Sequence, residues 1–206
     1  MPKKRSGIVY QFRIELLEIE PTIWRVIQVP SGYSFWDLHV AIQDAMGWLD
    51  CHLHAFHIRM HYMRTSVEIG IPDEEEFDRA VLPGWEMPIT EYFTEPGKSA
   101  IYDYDFGDDW SHNVLLEAIM LKESGRKYPC CIAGERACPP EDCGGVHGYY
   151  KLLKIISDPG HPEYEDHMKW LTRYTKKGRP YEPGTFHPGE VKFSNPRRRW
   201  EKAFSE

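Results

Sequence analysis

Two separate stretches of this 206-residue chain carry imidazoles and carboxylates that could bind a cation or transfer protons. The segment DCHLH holds His52 and His54, and such alternate residues in a strand face one side, about 7 Å apart. Further along the chain, an aspartate-rich turn with Asp105 precedes His112. Carboxylates and imidazoles together suit a divalent ion or general acid–base chemistry. These four residues are therefore candidate catalytic residues of a metal-dependent hydrolase, provided that their strands are neighbours in one sheet.

The same four residues also have a purely structural interpretation. His52 and His54 could be hydrogen-bonded side chains at the end of a sheet. Aspartate and glycine near Asp105 are the residues that any hairpin turn uses. Both interpretations stay open at the level of the sequence.

A second candidate metal site lies in residues 128–150, which contain four of the five cysteines. Zinc binds four thiolate or imidazole ligands tetrahedrally, and Cys131, Cys138, Cys143 and His147 would supply such a set. The alternatives are an ordered loop whose thiols pack as small apolar groups, or a reactive thiol at Cys143. The possible cofactor predicted here is therefore zinc.

The same loop could also bind an anion. Gly144 and Gly145 come directly before a predicted helix, and backbone N–H groups that open a helix attract negative charge. Most helix starts bind only water or a capping side chain, so the motif is weakly specific.

The charge of the chain is unevenly distributed around a formal net charge of −7. Residues 62–116 hold 13 acidic and 3 basic side chains, whereas residues 169–206 hold 10 basic and 4 acidic ones. Nucleic acid is thus disfavoured as a partner of the whole surface, and only the C-terminal part could contact phosphate. The candidate contacts there are Arg197, Arg198, Arg199 and Trp200. The alternative is that the two regions neutralise each other.

Hydrophobic periodicity predicts the elements that must position these residues. Strands come first and helices dominate the end, which predicts an α+β fold: a mainly antiparallel sheet with one early helix and two C-terminal helices packed on it. Ser34 is a predicted helix N-cap and Gly47 the end of that helix. The predicted strands are residues 8–17, 22–29, 53–62, 100–106 and 110–119, and the later helices are residues 146–157 and 163–174.

Size and composition predict one domain over residues 1–206. Residues 1–7 are basic without a following apolar segment, and no run approaches about 18 apolar residues. We therefore expect neither a signal peptide nor a membrane span. The expected location is the cytoplasm, where thiols stay reduced.

Ordered motifs over most of the chain carry a family resemblance. They are YQFRIELLEIEPTIWR at 10–25, LHVAIQDAMGWLDCHLHAF at 38–56, YDYDFGDDWSH at 102–112, CPPEDCGG within 128–149, and the ending at 181–193. With these motifs the chain resembles the plasmid pRiA4b ORF-3-like family. The resemblance implies a family core at about residues 8–193, with flexible ends at 1–7 and 194–206.

The family resemblance implies a single α+β domain found in plasmid, mobile-element and chromosomal contexts, with no established activity or agreed catalytic residues. A resolvase-like label carried by some relatives does not fit this chain, because Ser6 and Ser31 lack the arginine-rich setting of a recombinase nucleophile. We expect a binding or accessory module linked to plasmid or mobile-element DNA, with nucleic acid as a possible partner and no membrane. The alternative is the metal-dependent hydrolase.

Overall fold

The computed structural model of the protein describes residues 7–59, 66–72, 81–174 and 180–204. It contains eight strands, four α-helices and two short 3₁₀ turns within these residues. The strands are β1 Ile8–Leu16, β2 Ile23–Pro30, β3 His54–Arg59, β4 Ser66–Gly70, β5 Val81–Pro83, β6 Ser99–Tyr104, β7 Trp110–Leu121 and β8 Cys130–Glu135. The helices are α1 Phe35–Met46, α2 Gly145–Ile156, α3 Tyr164–Leu171 and α4 Pro196–Phe204, and the 3₁₀ turns are Ile89–Glu91 and Pro188–Glu190.

All eight strands join one sheet in the order β5-β4-β3-β6-β7-β1-β2-β8. Every neighbouring pair is antiparallel except β4 and β5. The alternation predicted for the first strand is present, since Phe12, Ile14 and Leu16 are buried while the residues between them are partly exposed. The predicted α+β fold with a mainly antiparallel sheet is therefore confirmed.

Helix α1 begins and ends where its capping residues predict. The Ser34 hydroxyl accepts a hydrogen bond from the Asp37 N–H at 3.2 Å, and the Asp37 carboxylate accepts one from the Ser34 N–H at 3.0 Å. Gly47 ends the helix in the left-handed region at φ 93°. The chain then runs directly into the segment that precedes β3, so these caps set where the first histidine-containing motif starts.

The strands that carry the two histidine-containing motifs lie close together in the sheet. β3 pairs with β6 so that His54 is opposite Tyr104, and β6 pairs with β7 so that Tyr102 is opposite His112. The start of β3 therefore lies beside the turn of the β6–β7 hairpin, at one end of the sheet. The predicted strand at residues 53–62 is described only as far as Arg59, because residues 60–62 lie outside the described part of the chain.

Strand β8 differs from the sequence prediction of a loop, because residues 130–135 lack a clear alternation. Long-range contacts hold it at the sheet edge beside β2. The buried Arg25 guanidinium donates to the carbonyls of Glu135 at 2.9 Å and Arg136 at 2.8 Å. Arg25 also donates to the Ala45 carbonyl at 3.0 Å, which ties this strand to α1.

Helix α4 occupies the C-terminal segment for which the sequence predicted a flexible end. Its aromatic side chains find partners far away in the chain. The Phe204 ring lies 5.6 Å from that of Trp36 and 5.3 Å from that of Trp85. The Trp36 indole also donates to the Pro196 carbonyl at 3.0 Å. These contacts pack α4 on α1, and local periodicity could not reveal them.

The five cysteines all lie within the described residues and all are free thiols. Within the same residues, none of the helices has both the length and the apolar character needed to cross a bilayer.

Candidate metal centre

Three motif segments meet beyond the ends of β3 and β6, and the buried carboxylate of Glu141 joins them. This carboxylate accepts a hydrogen bond from the Leu49 N–H at 3.0 Å and a short one from the Tyr104 hydroxyl. The Tyr104 hydroxyl in turn accepts the Cys51 N–H at 3.0 Å. One carboxylate therefore fixes the segment after α1, the end of β6 and the CPPEDCGG loop relative to one another.

The glycines of the CPPEDCGG loop hold it against the β6–β7 turn. The Gly144 N–H donates to the Asp108 carboxylate at 3.1 Å. Gly145 has φ 65°, and a Cβ atom there would lie 2.5 Å from the Asp108 carbonyl oxygen. Only glycine permits both this backbone conformation and this close approach. At the predicted anion site, the Gly144 N–H is thus already bound by a negatively charged group of the protein, the Asp108 carboxylate.

Each of the three segments contributes one potential metal ligand to a single point. His52 Nε2 lies 3.1 Å from Asp142 Oδ1 and 3.4 Å from Asp105 Oδ2. The ligand atoms of all three residues lie within 4.8 Å of one another. Among the described residues this is the one group of three or more histidine, cysteine or acidic side chains with that proximity. We call His52, Asp105 and Asp142 the His–Asp–Asp cluster.

Local backbone structure sets the position of both carboxylates. Asp105 and Asp142 adopt left-handed conformations, with φ 57° and 58°, which aspartate tolerates better than most residues. Asp105 Oδ1 accepts the Gly107 N–H at 3.0 Å, and this bond leaves Oδ2 to face His52. The Asp105 side chain is 10% exposed, against 31% for His52 and 63% for Asp142. The cluster is therefore anchored on one side and open to solvent on the other.

The spacing of the cluster suits a divalent cation. Zinc binds imidazole nitrogen and carboxylate oxygen at about 2.1 Å, so neighbouring ligand atoms stand about 3.0 Å apart in an octahedron and about 3.4 Å apart in a tetrahedron. The two separations from His52, 3.1 and 3.4 Å, are close to these values, and the 3.1 Å contact with Asp142 is also a hydrogen bond. Three protein ligands would leave at least one coordination position for water or substrate.

The structure places His54 and His112 in the core rather than beside His52. The His54 ring stacks on His39 with centroids 3.5 Å apart, and burial lowers the pKa of His54 well below its ordinary value. His112 is fully buried, and its Nδ1 donates to the Tyr102 carbonyl at 3.1 Å. Of the four predicted catalytic residues, the structure therefore brings together only His52 and Asp105.

The four predicted zinc ligands of the cysteine loop do not converge. Cys131, Cys138, Cys143 and His147 are all described, and no three of them have ligand atoms within 4.8 Å of one another. Burial raises the pKa of Cys131 to about 11 and that of Cys143 to about 12, so these thiols stay protonated at neutral pH. His147 is exposed on α2. The loop's contribution to the candidate site is instead a carboxylate, Asp142.

The predicted nucleic-acid residues divide into two pairs on α4. Arg199 is bound within the fold, where it pairs with Asp44 at 2.8 Å and Asp50 at 3.3 Å. Trp200 packs its ring 5.3 Å from that of Phe204. Arg197 and Arg198 are mostly solvent-accessible, and Arg197 has a single described ion pair, with Glu201 at 3.0 Å.

The two acidic residues of the CPPEDCGG loop, Glu141 and Asp142, are not among the candidates predicted from the sequence. The candidates predicted in this loop are thiols, His147 and two glycines, although Glu141 and Asp142 stand between two prolines and a cysteine. A conformationally restricted loop with adjacent acids next to an aspartate-rich turn was the available signal. It could not be used without knowing that the loop folds back onto that turn.

Replacing Glu141 with alanine should lower the free energy of unfolding by about 2 kcal/mol, because the Leu49 N–H and the Tyr104 hydroxyl would lose their shared acceptor. Urea denaturation of metal-free protein would measure this loss. The matched control is Asp142→Ala, which removes the neighbouring exposed carboxylate and should change stability by no more than about 0.5 kcal/mol. Equal losses in the two variants would contradict the bridging role of Glu141.

The stability of the protein should fall on acidification through its buried imidazoles. Burial lowers the pKa of His112 from 6.5 to about 4, against weaker opposing effects of the Tyr102 carbonyl and Asp103. Between these pH values the unfolded chain binds a proton at His112 that the folded chain does not. The contribution of His112 to stability is therefore fully present above about pH 6.5 and is lost as the pH falls towards 4. The difference corresponds to about 3 kcal/mol.

Urea denaturation at pH 7.5 and pH 4.5 compares the wild type with His112→Phe. The variant should lose less stability over this interval, because phenylalanine takes up no proton. Subtracting the loss of the variant from that of the wild type removes the contributions of the other titrating groups, which the two proteins share. Equal losses in both proteins would show that His112 is already protonated in the folded state, contrary to the expected pKa.

The fold and the cluster together define an α+β protein with an open histidine–carboxylate site at one end of an antiparallel sheet. The chain belongs to the plasmid pRiA4b ORF-3-like family, whose sequence model matches residues 8–190. It is similar to an uncharacterised protein, y4hQ, from Sinorhizobium fredii, with 32% identity over 162 residues that cover 79% of this chain and 80% of that protein.

A solved structure shares this fold. It is the crystal structure of a protein of unknown function, MM3350, from Methanosarcina mazei Go1. The similarity has a TM-score of 0.78 at 39% identity, and covers 90% of this chain and 98% of that one. The family predicted from the motifs is therefore confirmed, and the relatives named here are themselves described as uncharacterised or of unknown function.

Proposed function

We propose that this protein is a divalent-metal-dependent hydrolase whose ion is held by His52, Asp105 and Asp142. The observation that carries the proposal is the convergence of three ligand atoms within 4.8 Å, one from each of three motif segments that are distant in sequence. A chance surface cluster would not need the buried Glu141 carboxylate and the close approach at Gly145 to hold its parts together.

The chemistry of the ligand set supports hydrolysis more than a purely structural role. Structural zinc sites are closed by four protein ligands, whereas catalytic sites keep a position open. A divalent cation in an open site supplies Lewis acidity and lowers the pKa of water that binds it. His52 and Asp142 are partly exposed, so water and substrate can reach the ion position from solvent.

The test uses protein stripped with a chelator and reloaded with Zn²⁺ or Mn²⁺. Hydrolysis of 4-nitrophenyl phosphate and 4-nitrophenyl acetate should depend on the metal. It should fall at least about 100-fold in Asp105→Asn, which keeps an acceptor for the Gly107 N–H but removes a charged ligand. His147→Ala, a change at an exposed histidine outside the cluster, should retain full activity.

Two outcomes would contradict the proposal. One is protein that binds metal but shows no metal-dependent turnover of either ester, which would restrict the cluster to cation binding. The other is undiminished turnover in Asp105→Asn, which would place the chemistry elsewhere in the molecule.

Binding of nucleic acid is a second candidate function, as an accessory module linked to plasmid or mobile-element DNA. Its support is the 87% exposed side chain of Arg197, next to Arg198, on a basic helix. Phosphate contacts are strongest at low salt, so a gel shift of mixed oligonucleotides at low ionic strength is the test. A shift abolished by Arg197→Glu with Arg198→Glu would support this function, and no shift would contradict it.

A further inference from the structure

A cavity of about 640 Å³ lies beside the His–Asp–Asp cluster, between α4 and the segment that precedes β3. His52 lines this cavity and also belongs to the cluster, so it is the residue that the two features share. Its other walls come from the start of β3 and from Trp36 of α1. A volume of this size accommodates a small organic molecule.

The wall that α4 contributes to the cavity carries basic side chains. Lys202, in the last turn of α4, is exposed and has no ion-pair partner among the described residues. Lys202 lines the cavity together with Cys51 and His52. Arg199 also lines the cavity, but Asp44 and Asp50 already offset its charge. Lys202 is therefore the available cation for a bound anion.

The cavity also has apolar walls suited to an organic group. Trp36 and Phe204 line it with their rings 5.6 Å apart. Leu49 and Leu53 line it as well, although their side chains are 63% and 55% exposed. Apolar side chains that remain open to solvent around a charged group are typical of a ligand site.

An unsatisfied imidazole lines the same cavity. His54 is only 3% exposed, and neither of its ring nitrogens has a hydrogen-bond partner. The stacked His39 is satisfied at both nitrogens, by the Tyr102 hydroxyl at 2.8 Å and by Asp50 at 2.8 Å. Buried polar groups in native proteins are almost always paired, so His54 is an unusual unsatisfied group in the wall of this cavity.

We infer that this cavity binds the substrate of the site, a small organic anion whose phosphate or carboxylate group contacts Lys202 and whose aromatic or aliphatic part lies against Trp36, Phe204 and the exposed leucines. The inference rests on the proposed function in that the anionic group would be presented to the cation at His52. It adds the substrate class, which the cluster alone does not define.

Titration calorimetry with the metal-free 206-residue protein tests the binding itself. The probes are phenyl phosphate, benzoate, inorganic phosphate and the neutral benzyl alcohol. Phenyl phosphate or benzoate should bind, inorganic phosphate should bind at least ten-fold more weakly, and benzyl alcohol should not bind detectably. The stronger of the two organic anions identifies the head group.

Two substitutions locate the site. Lys202→Ala should lower the affinity for the organic anion at least ten-fold. Ala203→Trp should also prevent binding by filling the cavity, because Ala203 lines it at an exposed position. The matched control is Lys154→Ala, which changes an exposed lysine in the last turn of α2. This control should bind the anion as the wild type does.

Metal titrations of the same proteins keep the inference separate from the proposed function. Lys202→Ala should bind Zn²⁺ with unchanged affinity. Zn²⁺ binding without organic-anion binding would overturn the inference alone, and anion binding without Zn²⁺ binding would overturn the proposed function alone. Equal affinity for benzyl alcohol, or no effect of Lys202→Ala, would also overturn the inference.

Discussion

Replacing His52 with alanine should weaken the binding of Zn²⁺ or Mn²⁺ by at least about 100-fold. Residues that merely orient metal ligands already contribute about 10- to 100-fold to affinity, so the loss of a ligand should cost at least as much. His52 is the hub of the cluster, with its Nε2 within 3.4 Å of both carboxylates, and no other imidazole joins the group among the described residues. Titration calorimetry of protein freed from metal would measure the change.

Controls in the cysteine loop make the His52 result specific. His147→Ala removes an exposed imidazole, and Cys138→Ser replaces a buried thiol, but neither side chain belongs to the cluster. Both variants should bind the metal with wild-type affinity. Loss of binding in these variants, with retention in His52→Ala, would assign the ion to the cysteine loop and contradict the cluster.

Replacing Gly148 with alanine should lower the free energy of unfolding by about 4 kcal/mol. A Cβ atom at this position would lie 1.8 Å from the Cys143 carbonyl oxygen, where no carbon can fit. The obstacle is backbone, so the loop that carries Asp142 must move. Overpacking of a fixed site costs about 1–3 kcal/mol and occasionally more, and this contact is among the closest that a substitution could create.

The matched control for Gly148 is Gly184→Ala, since a Cβ atom at Gly184 would meet nothing within 4 Å. Its stability should stay within about 0.5 kcal/mol of the wild type in urea denaturation. Gly148→Ala should also lose metal affinity, because the displaced segment carries a ligand. Wild-type stability in Gly148→Ala would contradict the close packing between the start of α2 and the CPPEDCGG loop.

Elements with strong local signals could be predicted from the sequence. The alternation of Phe12, Ile14 and Leu16 specifies a half-buried strand whatever its neighbours are. Ser34 and Gly47 cap α1 through bonds that span three or four residues, so the sequence window contains both partners. These elements are set by contacts within the segment itself.

Elements that depend on distant partners could not be predicted in the same way. Strand β8 depends on Arg25, more than 100 residues earlier in the chain, and α4 depends on Trp36 and Trp85. The hydrogen bond from Arg25 to Glu135 spans 110 positions. Such contacts leave no periodic trace in the local sequence.

The candidate site shows the same division. His52 and Asp105 were candidates from the sequence on the condition that their strands are neighbours, and the pairing of β3 with β6 meets this condition. The rule that alternate residues of a strand face the same side does not apply to His52 and His54. Strand β3 begins at His54, and His52 lies in a bend before the strand. The two histidines therefore need not share a face. Asp142 enters only through the fold-back of a loop that no local pattern indicates.

Anomalous diffraction from crystals of the protein soaked with Mn²⁺ or Zn²⁺ tests the central claim most directly. We expect one strong anomalous peak at about 2.1 Å from His52 Nε2 and from carboxylate oxygens of Asp105 and Asp142. A peak among the cysteines, or soaked crystals with no peak at this position, would contradict the assignment of these three residues as the ligands of a divalent cation.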